Sequence, residues 1–187
     1  MIVLVTGGAK SGKSSFAEQV AMHTADSAVY IATAQIFEEE MRTRFVRHRE
    51  RRDRSGYAWE TIEEPYELAA MLRTVPDNRT ILVDCLTLWA SNWLLRAERD
   101  ADGESLVQRK IEELAAAISA RQGTTILVTN EVGSGIVPEY PLGRYFRDVA
   151  GGMNQRLASL SDQVFLVTAG IPVELKRLAF RFDGGML

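Results

Sequence analysis

Short runs of aliphatic and β-branched residues, each closed by polar or turn residues, recur along the chain at 1–6, 28–32, 80–84, 124–129 and 163–167. Runs of this length with little internal alternation have the character of strands buried on both faces, as in a parallel sheet. Between them the apolar positions fall at helical spacing. Residues 13–23 place Phe16, Ala17, Val20 and Ala21 on one face, and comparable patterns cover 65–73, 86–96, 105–121 and 143–160. Strand and helix therefore alternate. That predicts an α/β fold, a doubly wound, mostly parallel sheet flanked by helices, with right-handed crossovers and a ligand crevice at the carboxyl edge of the strands.

Two segments interrupt this rhythm. Residues 98–104 are polar and read as a solvated connection between helices. Residues 36–64 are less ordinary. Glu38, Glu39 and Glu40 precede Arg42, Arg44, Arg47, Arg49, Arg51 and Arg52, so acids lead and bases trail along an expected helix, the order that complements a helix dipole. Met41, Phe45 and His48 share one face of that helix. On the pattern alone, His48 is a satisfied, partly buried histidine and the arginines are a solvated face.

At 187 residues, with 46% hydrophobic and 25% charged residues, the chain is expected to form a single globular domain over 1–187, large enough to bury its core without staples. The net charge of −3 argues against general nucleic-acid binding through overall charge. Cys85 stands alone, so no internal disulfide is possible and a reducing compartment is expected. No apolar stretch is long enough to span a bilayer, so no stable membrane insertion is expected. The hydrophobic start lacks a basic n-region and runs directly into a functional motif, which makes the cytoplasm the expected location.

That motif is Gly7-Gly8-Ala9-Lys10-Ser11-Gly12-Lys13-Ser14, which satisfies G-x-x-x-x-G-K-[ST] at every specified position. A strand feeding such a turn and then a helix converges backbone N–H groups and the positive helix end on an anion. Lys13 is positioned to reach the β- and γ-phosphates of a nucleoside triphosphate and Ser14 to ligate Mg²⁺. Asp84 closes the run 80–84 at the same sheet edge and suits a metal-holding acid; an N-cap for the helix beginning at Leu86 is the alternative. Cys85 reads as a small core residue. Asn130 and Glu131, ahead of Gly133 and Gly135, either contact substrate or make turn chemistry. Arg144 and Arg147, with Asn154 and Gln155 on their helix, either meet phosphate oxygens or decorate the surface.

Taken in order, the chain resembles the bifunctional adenosylcobinamide kinase / adenosylcobinamide-phosphate guanylyltransferase family of cobalamin assembly. The resemblance covers nearly the whole sequence. It rests on the phosphate loop, Tyr30-Ile31-Ala32-Thr33-Ala34, Glu40-Met41 with Arg44 and His48, and Trp59-Glu60-Thr61-Ile62-Glu63. It continues through Val83-Asp84-Cys85-Leu86-Thr87-Leu88-Trp89, Asn92, Thr129-Asn130-Glu131-Val132-Gly133, Gly135-Ile136-Val137-Pro138, Arg144-Tyr145-Phe146-Arg147-Asp148, and Gly151 with Asn154-Gln155.

The resemblance implies a P-loop NTPase-like, RecA-like fold and two successive reactions. Adenosylcobinamide is phosphorylated by ATP or GTP, with Mg²⁺; GMP from GTP is then joined to adenosylcobinamide phosphate, releasing pyrophosphate. It implies that His48 carries a covalent GMP intermediate, a role an imidazole nitrogen can fill. The nucleotide contacts implied are Gly7 to Ser14, Ala32, Thr33, Ala34, Arg49, Glu50, Arg51, Arg52, Glu63 and Asp84. A homotrimer is implied as well. The chain runs on past the family's usual end, from Arg177 to Leu187, and this tail is expected to be flexible or a subunit contact. Neighbouring Arg47 is not histidine and His23 lies outside the motif, so His48 is the unambiguous nucleophile. Two rivals are a P-loop kinase of another small alcohol, with His48 structural, and a nucleotide-dependent switch or assembly module.

Overall fold

A computed structural model describes residues 1–35, 50, 52–98, 100 and 102–180. Its strands are β1 (Ile2–Thr6), β2 (Ser27–Ala32), β3 (Ala58–Glu63), β4 (Thr80–Asp84), β5 (Thr125–Val128), β6 (Gln163–Thr168) and β7 (Ile171–Glu174). The helices among the described residues are α1 (Lys13–Thr24), α2 (Leu68–Thr74), α3 (Leu86–Ala97), α4 (Gly103–Ala120), α5 (Pro141–Leu160) and α6 (Leu175–Leu178). All strands join one sheet in the order β3-β2-β4-β5-β1-β6-β7, parallel throughout except that β7 runs antiparallel to β6. The expected α/β fold, a mostly parallel sheet flanked by helices, is therefore the one observed.

Alternation along each strand divides the core. Leu4, Val29, Ile31, Ile81, Val83 and Leu127 face one side, where they meet Leu72 of α2, Trp89 of α3, Ile118 of α4 and Met153 of α5. Val3, Val5, Ala28, Tyr30, Ala32, Leu82, Ile126 and Val128 face the other side, where Ala17 and Ala21 of α1 cover part of the sheet. Phe16 and Val20 pack against the same cluster, so the face expected for α1 is the face it uses. A period of two in the strands and of 3.6 in the helix thus assigns each residue to its layer.

Several boundaries differ from the sequence expectation. Segment 36–64 contains an unanticipated strand, β3, which pairs in parallel with β2 from Ser27↔Ala58 to Ala32↔Glu63. The helix expected over 65–73 starts later, at Leu68, because the Glu64 carboxylate accepts the N–H groups of Tyr66 and Glu67 and holds them in a turn. Helix α4 starts at Gly103, inside the expected loop, and ends at Ala120 because Arg121 is extended. The Arg121 guanidinium is buried and donates to the carbonyls of Leu72, Val75, Pro76 and Arg79, closing the carboxyl end of α2. The expected helix over the acidic and basic run lies mostly outside the described residues, as does the end of the tail, 181–187. Of the tail's earlier part, Arg177 and Leu178 finish α6.

Strands β6 and β7 are joined by a two-residue turn. Ala169 (φ 52°) and Gly170 (φ 80°) both take the left-handed conformation that matches the twist of a tight hairpin. Beyond it the Glu174 carboxylate caps α6, accepting the N–H groups of Lys176 and Arg177 as well as that of Val164 across the hairpin.

Candidate active site

The phosphate loop spans the end of β1 and the start of α1. Gly12 is left-handed (φ 99°) and precedes α1 as its cap without a side-chain cap bond, and no acidic residue occupies the first turn. The positive end of the helix thus meets the loop with no acidic side chain of its own, an arrangement that favours an anion there. The loop is also held from behind. Gly170 N–H donates to the Ser11 carbonyl at 2.8 Å, and Glu131 N–H donates to the Gly7 carbonyl at 3.0 Å. A Cβ on Gly7 would come within 2.4 Å of the Val167 carbonyl oxygen, so only glycine allows β6 to pass this close. Lys13 is buried, and its Nζ donates to the Gly8 carbonyl at 3.0 Å.

At the same edge, β4 ends on Asp84, in register with Ala32 of β2 and Val128 of β5. The N-cap of α3 is Cys85, without a side-chain cap bond; Asp84 does not fill that role. Instead, Asp84 Oδ2 accepts the Tyr30 hydroxyl at 2.9 Å. The Tyr30 phenol is pushed well above its ordinary pKa, by burial first and then by the Asp84 charge, and so stays a donor. The Asp84–Cys85 peptide is cis. Thr33, just past β2, bonds Cys85 twice: its Oγ1 donates to the Cys85 carbonyl at 2.6 Å and accepts the Cys85 N–H at 2.9 Å. Cys85 is a core residue as expected, its thiol pushed up to about 11 by burial and then by Asp84.

Arg52 supplies the third charged group. It is 2% exposed, with its guanidinium 3.5 Å over the Tyr30 ring and Nη1 4.0 Å from the Glu18 carboxylate. Its Nε, Nη1 and Nη2 have no hydrogen-bond partner among the described residues. A buried cation left this way is poised for an anion entering beside it.

The fourth wall comes from the segment after β5. Asn130 Nδ2 donates to Thr87 Oγ1 at 2.7 Å, and the Asn130 carbonyl accepts Asn154 Nδ2 at 3.1 Å. Arg144 and Arg147 prove to be braces for this loop. Arg144 donates to the carbonyls of Pro138 and Glu139, and Arg147 to that of Gly133. Gln155 is exposed.

These elements enclose a cavity of about 420 Å³ whose wall includes Ala9, Lys13, Ser14, Tyr30, Ala32, Ala34, Arg52 and Asp84, completed by Cys85, Leu88, Asn130, Glu131 and Val132. Of the expected nucleotide contacts, Ala9, Lys13, Ser14, Ala32, Ala34, Arg52 and Asp84 therefore meet in one place. Gly7, Gly8, Lys10, Ser11 and Gly12 form the adjoining turn. Three expected contacts lie off the cavity wall. Thr33 is buried and committed to Cys85, Glu63 is exposed at the end of β3, and Glu50 is exposed and paired with Arg54 at 3.5 Å. His48, Arg49 and Arg51 lie outside the described residues. Tyr30, Leu88 and Val132 are wall residues that motif reading alone assigned no role. For Tyr30 the available signal was its place between Ala28 and Ala32 on one strand face, a large side chain with a polar tip flanked by small ones.

Comparison with known proteins identifies the family. The family described as cobinamide kinase / cobinamide phosphate guanyltransferase matches residues 3–175. The chain is similar to the bifunctional adenosylcobalamin biosynthesis protein CobU of Escherichia coli (strain K12), 39% identical over 185 residues, covering 94% of this chain and 100% of that one. It is similar also to the bifunctional adenosylcobalamin biosynthesis protein CobP of Pseudomonas aeruginosa, 41% identical over 174 residues, covering 92% of this chain and 96% of that one. Among solved structures, the RadB recombinase aligns with a TM-score of 0.47 at 16% identity, covering 88% of this chain and 73% of that one. Every residue of the cavity wall, from Ala9 to Val132, falls within the family match, and the chain belongs to the cobinamide kinase / cobinamide phosphate guanyltransferase family.

Proposed function

We propose that the cavity binds a nucleoside triphosphate and serves two reactions in turn: phosphorylation of adenosylcobinamide by ATP or GTP, then transfer of GMP from GTP to adenosylcobinamide phosphate. The observation that carries this reading is the convergence of the phosphate loop, Asp84 and the hydrogen-bond-starved guanidinium of Arg52 on one cavity. Family membership supports the choice of substrates.

In the kinase step, the terminal hydroxyl oxygen of the acceptor attacks the γ-phosphorus and the bond to the bridging oxygen breaks. The loop N–H groups and Lys13 bind the phosphate oxygens on which charge gathers, and Arg52 offers a second cation across the cavity. In the guanylyl step, a neutral nitrogen of His48 attacks the α-phosphorus of GTP and pyrophosphate departs. The phosphate oxygen of the acceptor then attacks the same phosphorus and the P–N bond breaks, freeing the histidine.

Mg²⁺ would be held by Ser14 and Asp84. A hydroxyl and a carboxylate are hard oxygen donors suited to an ion that takes its remaining ligands from phosphates and water. When bound, it offsets the negative charge of the phosphates. Tyr30 steadies the carboxylate from behind. We further assign the protein to the cytoplasm, which suits its single free thiol, and to a homotrimer, for which exposed Ile171, Val173, Leu178 and Phe180 offer apolar surface.

The test is incubation with α-labelled GTP, mass mapping of the adduct, and discharge by adenosylcobinamide phosphate. The adduct is expected on His48 and is expected to vanish in a folded His48→Ala protein. Normal labelling of that variant, or an adduct elsewhere, sinks the nucleophile assignment.

A further inference from the structure

Two opposite charges share the cavity wall without pairing. Asp84 and Arg52 both line it, yet the carboxylate within 4.0 Å of Arg52 is that of Glu18 and not Asp84, and the guanidinium nitrogens have no hydrogen-bond partner among the described residues. In a buried site the default outcome is for such groups to collapse onto each other, because a desolvated cation and carboxylate attract strongly.

Tyr30 stands between them. Its hydroxyl donates to Asp84 Oδ2 at 2.9 Å, and the face of its ring carries the Arg52 guanidinium at 3.5 Å. The ring cannot easily turn aside. It is 4% exposed and meets the edge of Trp59 at 6.0 Å and 88°, while its strand is paired on both sides. One side chain thus satisfies the acid with a hydrogen bond and the cation with a π face.

We propose that Tyr30 is a positioning residue that separates the acid from the cation, so that Asp84 remains available to the metal side of a bound nucleotide and Arg52 to its phosphates. This rests on the nucleotide-binding reading of the cavity. Without the separator, the two charges neutralise each other and the cavity loses both functions at once. The hydroxyl and the ring contribute separately, which makes the two roles divisible by substitution.

The experiment is calorimetric binding of ATP and of GTP to the full chain, with Mg²⁺ and with chelator, for wild type, Tyr30→Phe, Tyr30→Leu, Asp84→Asn and the Tyr30→Leu/Asp84→Asn double variant. Thermal melts check that each is folded. Tyr30→Phe keeps the ring and loses the hydroxyl. It is expected to weaken binding of the Mg²⁺ complex about 3- to 10-fold while leaving metal-free binding near wild type. Tyr30→Leu removes the platform, and metal-free binding is expected to fall about tenfold or more as Arg52 turns to Asp84. Neutralising Asp84 in that background is expected to restore metal-free binding to the level of Asp84→Asn alone, since Arg52 then keeps only the neighbour it has in wild type, Glu18.

A plain packing role predicts no such rescue, so a double variant as weak as Tyr30→Leu overturns the separator. If Tyr30→Leu does not fold, Tyr30→Phe decides alone, and an unchanged gain in affinity on adding Mg²⁺ overturns the proposal. Failure of the wild type to bind either nucleotide is a different result. It removes the nucleotide-site reading itself.

Discussion

Lys13 is buried and bonded to the carbonyl of Gly8 in the loop it serves, so its ammonium is already held at the mouth of the phosphate site. Lys13→Ala is expected to lower the rate of adenosylcobinamide phosphorylation at saturating nucleotide by about 10²-fold or more, because a donor aimed at developing charge is lost. An initial-rate assay that finds the rate retained would remove Lys13 from the chemistry. This residue was legible because the chemistry demands fixed residue types at fixed spacing. Arg52 was less so. In a run with Arg49 and Arg51, an arginine reads as solvated, and nothing in the spacing says which one turns inward to stack on Tyr30. The ambiguity of Asp84 between cap and metal acid needed a contact to settle the cap: its carboxylate meets the Tyr30 hydroxyl, and Cys85 takes the N-cap position.

At the scale of elements, the central strands were readable and the two edge strands were not. β3 carries Trp59, Glu60, Thr61, Ile62 and Glu63, a partly exposed mixture that lacks the continuous apolar run of a buried strand. β7 is four residues long and contains Pro172, which an edge strand tolerates and a central one does not. Both are defined by their neighbour rather than by their own pattern. Helix ends were misjudged for a similar reason, since Glu64 and Arg121 act through side-chain bonds that periodicity does not register. Arg121 links the exit of α4 to the exit of α2 and to the turn before β4. Arg121→Met fills much of the same space but strands four carbonyls, and is expected to destabilise the protein by about 3 kcal/mol, read as a lower denaturant midpoint. A change under about 0.5 kcal/mol would show that water replaces the guanidinium at little cost.

For the whole molecule, the C-terminal hairpin adds an acid-sensitive component to stability. Burial acts to raise the Glu174 carboxyl, but hydrogen bonds from Val164, Arg177 and Lys176 outweigh it and hold the folded value below the ordinary one. A depressed carboxyl stabilises the fold above its unfolded pKa, and that contribution is lost as pH falls from the ordinary glutamate range through the folded value. Unfolding free energies measured from neutral pH down to about pH 3 should therefore fall more steeply for wild type than for Glu174→Gln. Parallel curves would mean that Glu174 titrates alike in both states.

The same hairpin bears on how the molecule comes into being. β1 precedes the other described strands in the chain, yet its partners are β5 and β6, and the turn at Gly170 must arrive before the phosphate loop is backed at Ser11. The loop is encoded at residues 7–14 and backed by Gly170, more than 150 residues later. A nascent chain therefore emerges with its nucleotide motif exposed and unassembled, and long-range pairing of this kind is closed late. The phosphate loop is therefore expected to gain its backing at Ser11 only once β6 and the turn at Gly170 have been made, so a chain halted within α5 carries the loop sequence without that support.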